Sequence, residues 1–285
     1  LKHYRPKERN WPGHVDWNIG PTGLCILTVL KGTTDRKDER ILNALKWITE
    51  QPFFRNYEVV VSMLAVEAFY SPSDPSRKFK PGQVSDPDIT ANMSPEHKKW
   101  MKDAAEWLQS KVRESWWAYP DGGQDFSNTQ YAILGLLAAA RCGVLVKDKI
   151  LVGVLQQFLR CQQKKGPIIP FVLLDQDTSA RKTASKLKGE ARGWAYKDNP
   201  EDHTSRSMTA GAVGSLVIID SLLRRMKSSL YTKDLQRQTQ TAMRDGWAWF
   251  HENWGVRYNL NRGRDPYYYL YALERFRYAH KAGAL

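Results

Sequence analysis

The sequence predicts an all-α protein, and three observations carry that expectation. Five segments are apolar almost all round, at about 20–30, 57–70, 127–142, 207–223 and 266–280. Helices of that kind are buried on every side. Four amphipathic segments, at about 35–50, 95–111, 148–163 and 233–252, fall strictly between them. Third, two stretches are imperfect copies. Trp117-Ala118-Tyr119, an acidic loop and Ser127-x-Thr129-x-x-Ala132 answer Trp194-Ala195-Tyr196, an acidic loop and Ser207-x-Thr209-x-x-Ala212. Each copy is one supersecondary unit that must stack on neighbours to bury its apolar face. Alternating inner and outer helices with Trp-bearing corners suit an α/α toroid: one domain over 1–285, five inner and four outer helices, cut short at one or both ends, without substantial β-sheet.

Local signals justify the elements in order. The first apolar run closes before Gly32, where a left-handed C-terminal residue is wanted. The second segment carries Ala44-x-x-Trp47-Ile48, an aromatic in its last turns, and Ala104-x-x-Trp107-Leu108, Leu155-x-x-Phe158-Leu159 and Met243-x-x-x-Trp247 echo it. Residues 71–94, rich in Pro, Ser and Asp, read as a loop. Ser94-Pro95-Glu96 then sets a capping hydroxyl before a proline at the first helical position. Ser127-x-x-Gln130 reads as a capping box, and Gly143 as that helix's end. Residues 164–192 form a long insertion loop, in which Pro167-Ile168-Ile169-Pro170-Phe171-Val172-Leu173-Leu174 is a candidate short strand followed by a basic tract.

The formal charge of +13 favours acidic partners, but it is dispersed and accompanies no nucleic-acid module, which disfavours nucleic acid as the partner. No uninterrupted apolar run reaches the roughly 18–20 residues that span a bilayer. The first ten residues are polar and basic, so any signal peptide has been removed or lies outside the sequence; the compartment stays open, export of a soluble protein included. Cys25, Cys142 and Cys161 form no Cys-x-x-Cys and have no His at metal spacing, which predicts three reduced, unpaired thiols and neither metal nor cofactor. Glu67 and Glu274, late in two inner helices, oppose the macrodipole and each call for a basic partner.

The stretches 116–143 and 193–219, with Tyr267-Tyr268-Tyr269-Leu270-Tyr271-Ala272-Leu273-Glu274-Arg275, resemble the prenyltransferase and squalene-oxidase repeat superfamily, in particular its planctomycete-type bacterial members. That resemblance implies the terpenoid-cyclase-like toroid, whose cyclases carry Asp-x-Asp-Asp with the middle Asp protonating an alkene or epoxide. Here the nearest string is Asp175-Gln176-Asp177-Thr178, one carboxylate short and followed by Arg181 and Lys182. Those cations favour the carboxylate form of Asp177, which weakens it as a proton donor. The prenyltransferase zinc set and the thioester Gly-Cys-Gly-Glu-Gln of related toroids have no counterpart.

One mouth of such a toroid gathers the starts of the inner helices. Trp117, Tyr119, Asp125, Asn128, Trp194, Tyr196, His203 and Tyr268 are the candidate ligand-binding residues there, with Trp17, Asp121, Asp202, Arg206 and Tyr267 beside them. Rings with a few acids, an amide and a His make a plausible cleft lining; corner packing and helix capping account for the same residues equally well. Asp177 and His203 are the weak catalytic candidates. Three functions follow: a non-catalytic module binding a protein, or a ligand with a polar or anionic group on an apolar body; a degenerate terpene or squalene cyclase using Asp177; or an enzyme acting on acidic polysaccharide through Asn128, His203 and a Tyr. The missing motifs favour the first.

Overall fold

The computed structural model describes residues 3–13, 17–32, 36–71, 83–173, 185–198, 203–255 and 268–273. Helices dominate: α1 (Ile19–Gly32), α2 (Glu39–Thr49), α3 (Asn56–Tyr70), α4 (Pro87–Asn92), α5 (Pro95–Ser110), α6 (Phe126–Arg141), α7 (Asp148–Arg160), α8 (Arg206–Arg225) and α9 (Lys233–Glu252). Residues 268–273 are helical as well. Two-residue strands β1 (Trp117–Ala118) and β2 (Gln124–Asp125) precede α6, and β3 (Ile168–Leu173) and β4 (Ser185–Glu190) follow α7. The all-α reading therefore holds. The chain divides into two compact units, one of residues 1–113, 117–123 and 131–147, the other of 114–116, 124–130 and 148–285.

Unit 1 is built round α3, which is buried from Asn56 to Glu67 except at Tyr57 and touches α1, α2, α4 and α5. Its Val59-Val60-Val61 and Met63-Leu64-Ala65-Val66 runs leave no polar face, so the helix is stable only when wrapped. α2 contributes Ile41, Ala44, Leu45 and Ile48, and α5 contributes Trp100, Met101, Ala104, Ala105 and Leu108. Each fully buried Leu or Ile of this set stabilises by about 1.5–3 kcal/mol before entropy. At Gly135 a Cβ would lie 2.9 Å from Val60 and 3.1 Å from Leu108, so the absent side chain lets the second half of α6 close on α3 and α5. Arg141 meets Glu67 at 2.6 Å, the basic partner that Glu67 calls for; Glu274 lies outside the described residues.

Several local expectations need correction. α1 is not buried all round: Thr22, Gly23, Ile26 and Leu27 face inward, whereas Leu24 is 45% exposed, because packing on α2 and α3 covers one stripe only. Gly32 ends α1 inside the helix, and Gly143 alone among the described glycines takes a positive φ, +81°. The 71–94 loop holds α4, capped by Asp86, whose side chain accepts from Asp88 N–H. Ser94 caps α5 as expected, accepting from His97 N–H at 3.2 Å.

Unit 2 packs α7, α8 and α9 together, with α8 buried through most of its length. By length and composition α8 could cross a membrane, the one described helix of which this is true, but 89% of that window is buried within the chain. Within the 164–192 insertion the candidate strand is present as β3, and β4, which was not expected, pairs with it. β3 and β4 pair antiparallel from Ile168↔Glu190 to Leu173↔Ser185 and lie on α9. Asp245 of α9 holds the hairpin, accepting from Glu190 N–H at 3.0 Å and from the Arg192 guanidinium at 2.5 Å. β3 was legible from its β-branched and aromatic content. β4, Ser-Lys-Leu-Lys-Gly-Glu, has one strong apolar residue, and tertiary contact with α9 makes it a strand. All three cysteines are free thiols, and burial pushes the Cys161 thiol up to about 11.

Candidate functional site

The two corners repeat in space as well as in sequence. Trp117 and Trp194 are buried, and each indole N–H donates at 2.8 Å to a carbonyl in the last turn of an amphipathic helix. The acceptors are Leu108 in α5 and Phe158 in α7, each two residues before its helix ends. The Phe158 carbonyl belongs to the last turn, whose carbonyls lack an intrahelical donor, and the indole supplies one. The Leu108 carbonyl also accepts from Lys111 N–H at 3.2 Å, so there the indole is a second donor. Both tryptophans, expected as lining of a ligand cup, are thus buried and hydrogen-bonded to a helix end. Gln162 and Gln163 tie the second corner down further: Gln162 donates to the Arg192 and Ala242 carbonyls at 3.0 Å, and Gln163 accepts from Gly193 N–H at 2.9 Å.

In unit 1 the rings that remain accessible gather at the start of α3. Tyr119, 43% exposed, stacks on Tyr57 with centroids 5.8 Å apart and planes 22° from parallel. Tyr131 lies 4.3 Å from Tyr57 on centroids. The Arg55 guanidinium sits 4.3 Å from the Trp17 ring centroid and 5.2 Å from that of Phe54. Glu58, one turn on, meets Arg55 at 3.6 Å; burial pushes its carboxyl pKa up, and Arg55 pulls it partly back. Asp121 is exposed.

In unit 2 the starts of α6 and α8 carry buried polar side chains, at 125, 127–130, 204–207 and 209. Asp125 caps α6, its carboxylate accepting from Asn128 N–H at 2.7 Å and from the Asn128 side-chain amide at 2.9 Å. Tyr196 O–H and Ser127 N–H also donate to it. Burial nevertheless keeps its pKa above the ordinary carboxylate value. The cap is thus Asp125, not Ser127, and the capping box does not form. Ser205 takes the matching place in the second copy, accepting from Met208 N–H at 3.3 Å. Gln130 reaches across to donate to the Met208 carbonyl at 3.2 Å, and Tyr268 O–H donates to Gln130 Oε1 at 2.5 Å. Gly211 makes room for this glutamine, since a Cβ there would sit 2.0 Å from Gln130 Oε1.

The remaining candidates divide as follows. Arg206 is buried and donates to the backbone carbonyls of Asn253 and Trp254, neutralising the C-terminal end of α9. His203 is exposed. Asp177, Asp202 and Tyr267 lie outside the described residues. No group of three or more His, Cys, Asp or Glu arranged to hold a metal occurs among the described residues. Sequence reasoning missed Phe54, Arg55, Tyr57, Glu58 and Tyr131. The string Phe53-Phe54-Arg55-Asn56-Tyr57, running into the start of α3, was the available signal. Comparison of the chain with protein-family models, curated proteins and solved structures returns no match.

Proposed function

We propose that this chain is a helical-repeat binding module, a toroid of the prenyltransferase and squalene-oxidase type without the catalytic sets of that group. It takes a ligand with a polar or anionic group on an apolar or planar body. One contrast carries the reading. Asp125, a buried carboxyl with a raised pKa, already accepts from Asn128, Ser127 and Tyr196 and organises the start of α6, and Glu58, the other described carboxyl raised by burial, is paired with Arg55. The exposed rings of Trp17 and Phe54 instead flank Arg55, whose position suits recognition more than reaction. A proton donor for alkene chemistry needs a carboxyl aimed at substrate and freed from local bonds.

The reading is tested by turnover. The protein is incubated with squalene, oxidosqualene, geranylgeranyl diphosphate and polygalacturonate, and products are sought by mass spectrometry. No product is expected from any of them. Cyclised or cleaved product that disappears on Asp177→Asn, His203→Ala or Asp125→Asn establishes an enzyme and ends the binding-module reading.

A further inference from the structure

The geometry points to the Trp17–Phe54–Arg55 face of unit 1 as a docking site for a peptide segment that sets one carboxylate beside an apolar or aromatic side chain; this deepens the binding-module reading and rests on it. Trp17 is 55% and Phe54 56% exposed, large values for rings of that size. Both flank one guanidinium, at 4.3 and 5.2 Å from their centroids. Aromatic contact fixes the guanidinium plane, which reduces the freedom Arg55 would lose on meeting a partner. Its edge still carries N–H donors suited to a bidentate carboxylate. Glu58 is the resident anion, paired with Arg55 at 3.6 Å through one guanidinium nitrogen, so a partner carboxylate must share the guanidinium with it.

The chemistry of the occupant follows from counting charge. Polyanions such as nucleic acid or a polyuronate need a track of cations, and this cluster offers one. One guanidinium amid exposed rings suits one carboxylate with an apolar neighbour. Trp, Tyr and Arg are also the residues that dominate protein–protein hot spots. The chain's +13 charge adds long-range attraction for an acidic partner.

The test selects a random-peptide phage library on the immobilised full chain, then measures the enriched peptides by fluorescence anisotropy on the parent and three variants. Enriched peptides should place Asp or Glu next to Trp, Phe, Tyr or Leu. Arg55→Gln and Trp17→Ala should each weaken them about tenfold or more, with unchanged circular dichroism. Glu58→Gln should bind as tightly as the parent or tighter, because it removes the competing anion. Binding should also weaken as salt rises. Failure to enrich any peptide, enrichment of sequences lacking a carboxylate, or equal affinity for the parent and Arg55→Gln overturns the proposal. Displacement of the peptide by heparin or poly(U) at equal affinity assigns the face to a polyanion and overturns it too. Any of these failures leaves the turnover result untouched, so the two readings fail separately.

Discussion

The start of α3 in unit 1 and the starts of α6 and α8 in unit 2 show two uses of the same chain position. The first leaves Trp17 and Phe54 in solvent beside Arg55 and Tyr119 in solvent on Tyr57; the second buries its Asp, Asn, Gln and Ser side chains and bonds them to one another and to backbone. Rings tolerate exposure because they need no partner, whereas buried polar groups cost free energy unless they are bonded. Residues that resemble a binding cup in sequence can therefore be structural in unit 2, while the exposed rings among them and beside them lie in unit 1.

Substitution breaks this comparison most sharply at the corners. Trp194→Ala and Trp117→Ala should each cost about 4 kcal/mol in urea denaturation, chiefly from the large cavity, with the lost indole hydrogen bond added. A cost below about 1 kcal/mol would return the indoles to the list of ligand-binding candidates. Next comes Asp125→Ala, at about 3 kcal/mol, since it removes a cap and strands the donors of Asn128 and Tyr196. Gly211→Ala should cost about 2 kcal/mol by displacing Gln130, and Gln130→Ala in the same chain should relieve part of that clash.

On the unit 1 side the effects shrink. Tyr119→Ala should cost about 1 kcal/mol or less, the worth of one half-exposed stack. The smallest effect concerns His97, whose pKa burial holds below its ordinary value, with Glu96 pulling the other way. Ser94 N–H donates to Tyr70 Oη, so the Tyr70 proton is directed at His97 Nδ1, 2.7 Å away. A neutral acceptor is thus favoured in the folded state. The contribution is complete above the unfolded value of about 6.5 and is lost as pH falls through the lower folded value. Urea midpoints measured from pH 7.5 to 5 should decline less steeply for His97→Gln than for the parent.

Much of the helical layout was legible, because amphipathic periodicity and caps act within one segment. The segments expected at 95–111, 148–163 and 233–252 fall at Pro95–Ser110, Asp148–Arg160 and Lys233–Glu252. What escaped depends on contacts remote in sequence. α4 needed recognition of Asp86-Pro87 inside a proline-rich loop, and β4 needed α9 as its support. The capping box at Ser127 failed because Asp125, two residues earlier, is the stronger acceptor at the chain's turn into α6. Asp125, Asn128, Tyr196 and Tyr268 were singled out as ligand-binding candidates, and the structure shows the first three hydrogen-bonded together and Tyr268 bonded to Gln130. Their sequence could not show that three of them would be bonded to each other.

The corner indole also bears on how such a chain can grow. In the first copy nine residues separate donor from acceptor, and in the second thirty-six do, yet the bond is 2.8 Å in both. The extra segment includes the β3–β4 hairpin. Each doubling of a flexible loop costs only about 0.6 kcal/mol of closure entropy, so a fourfold longer connection costs about 1.2 kcal/mol. The clasp between a helix's last turn and the next corner thus marks a splice point. Foreign sequence inserted between residues 108 and 117 should be carried without unfolding the copy it interrupts.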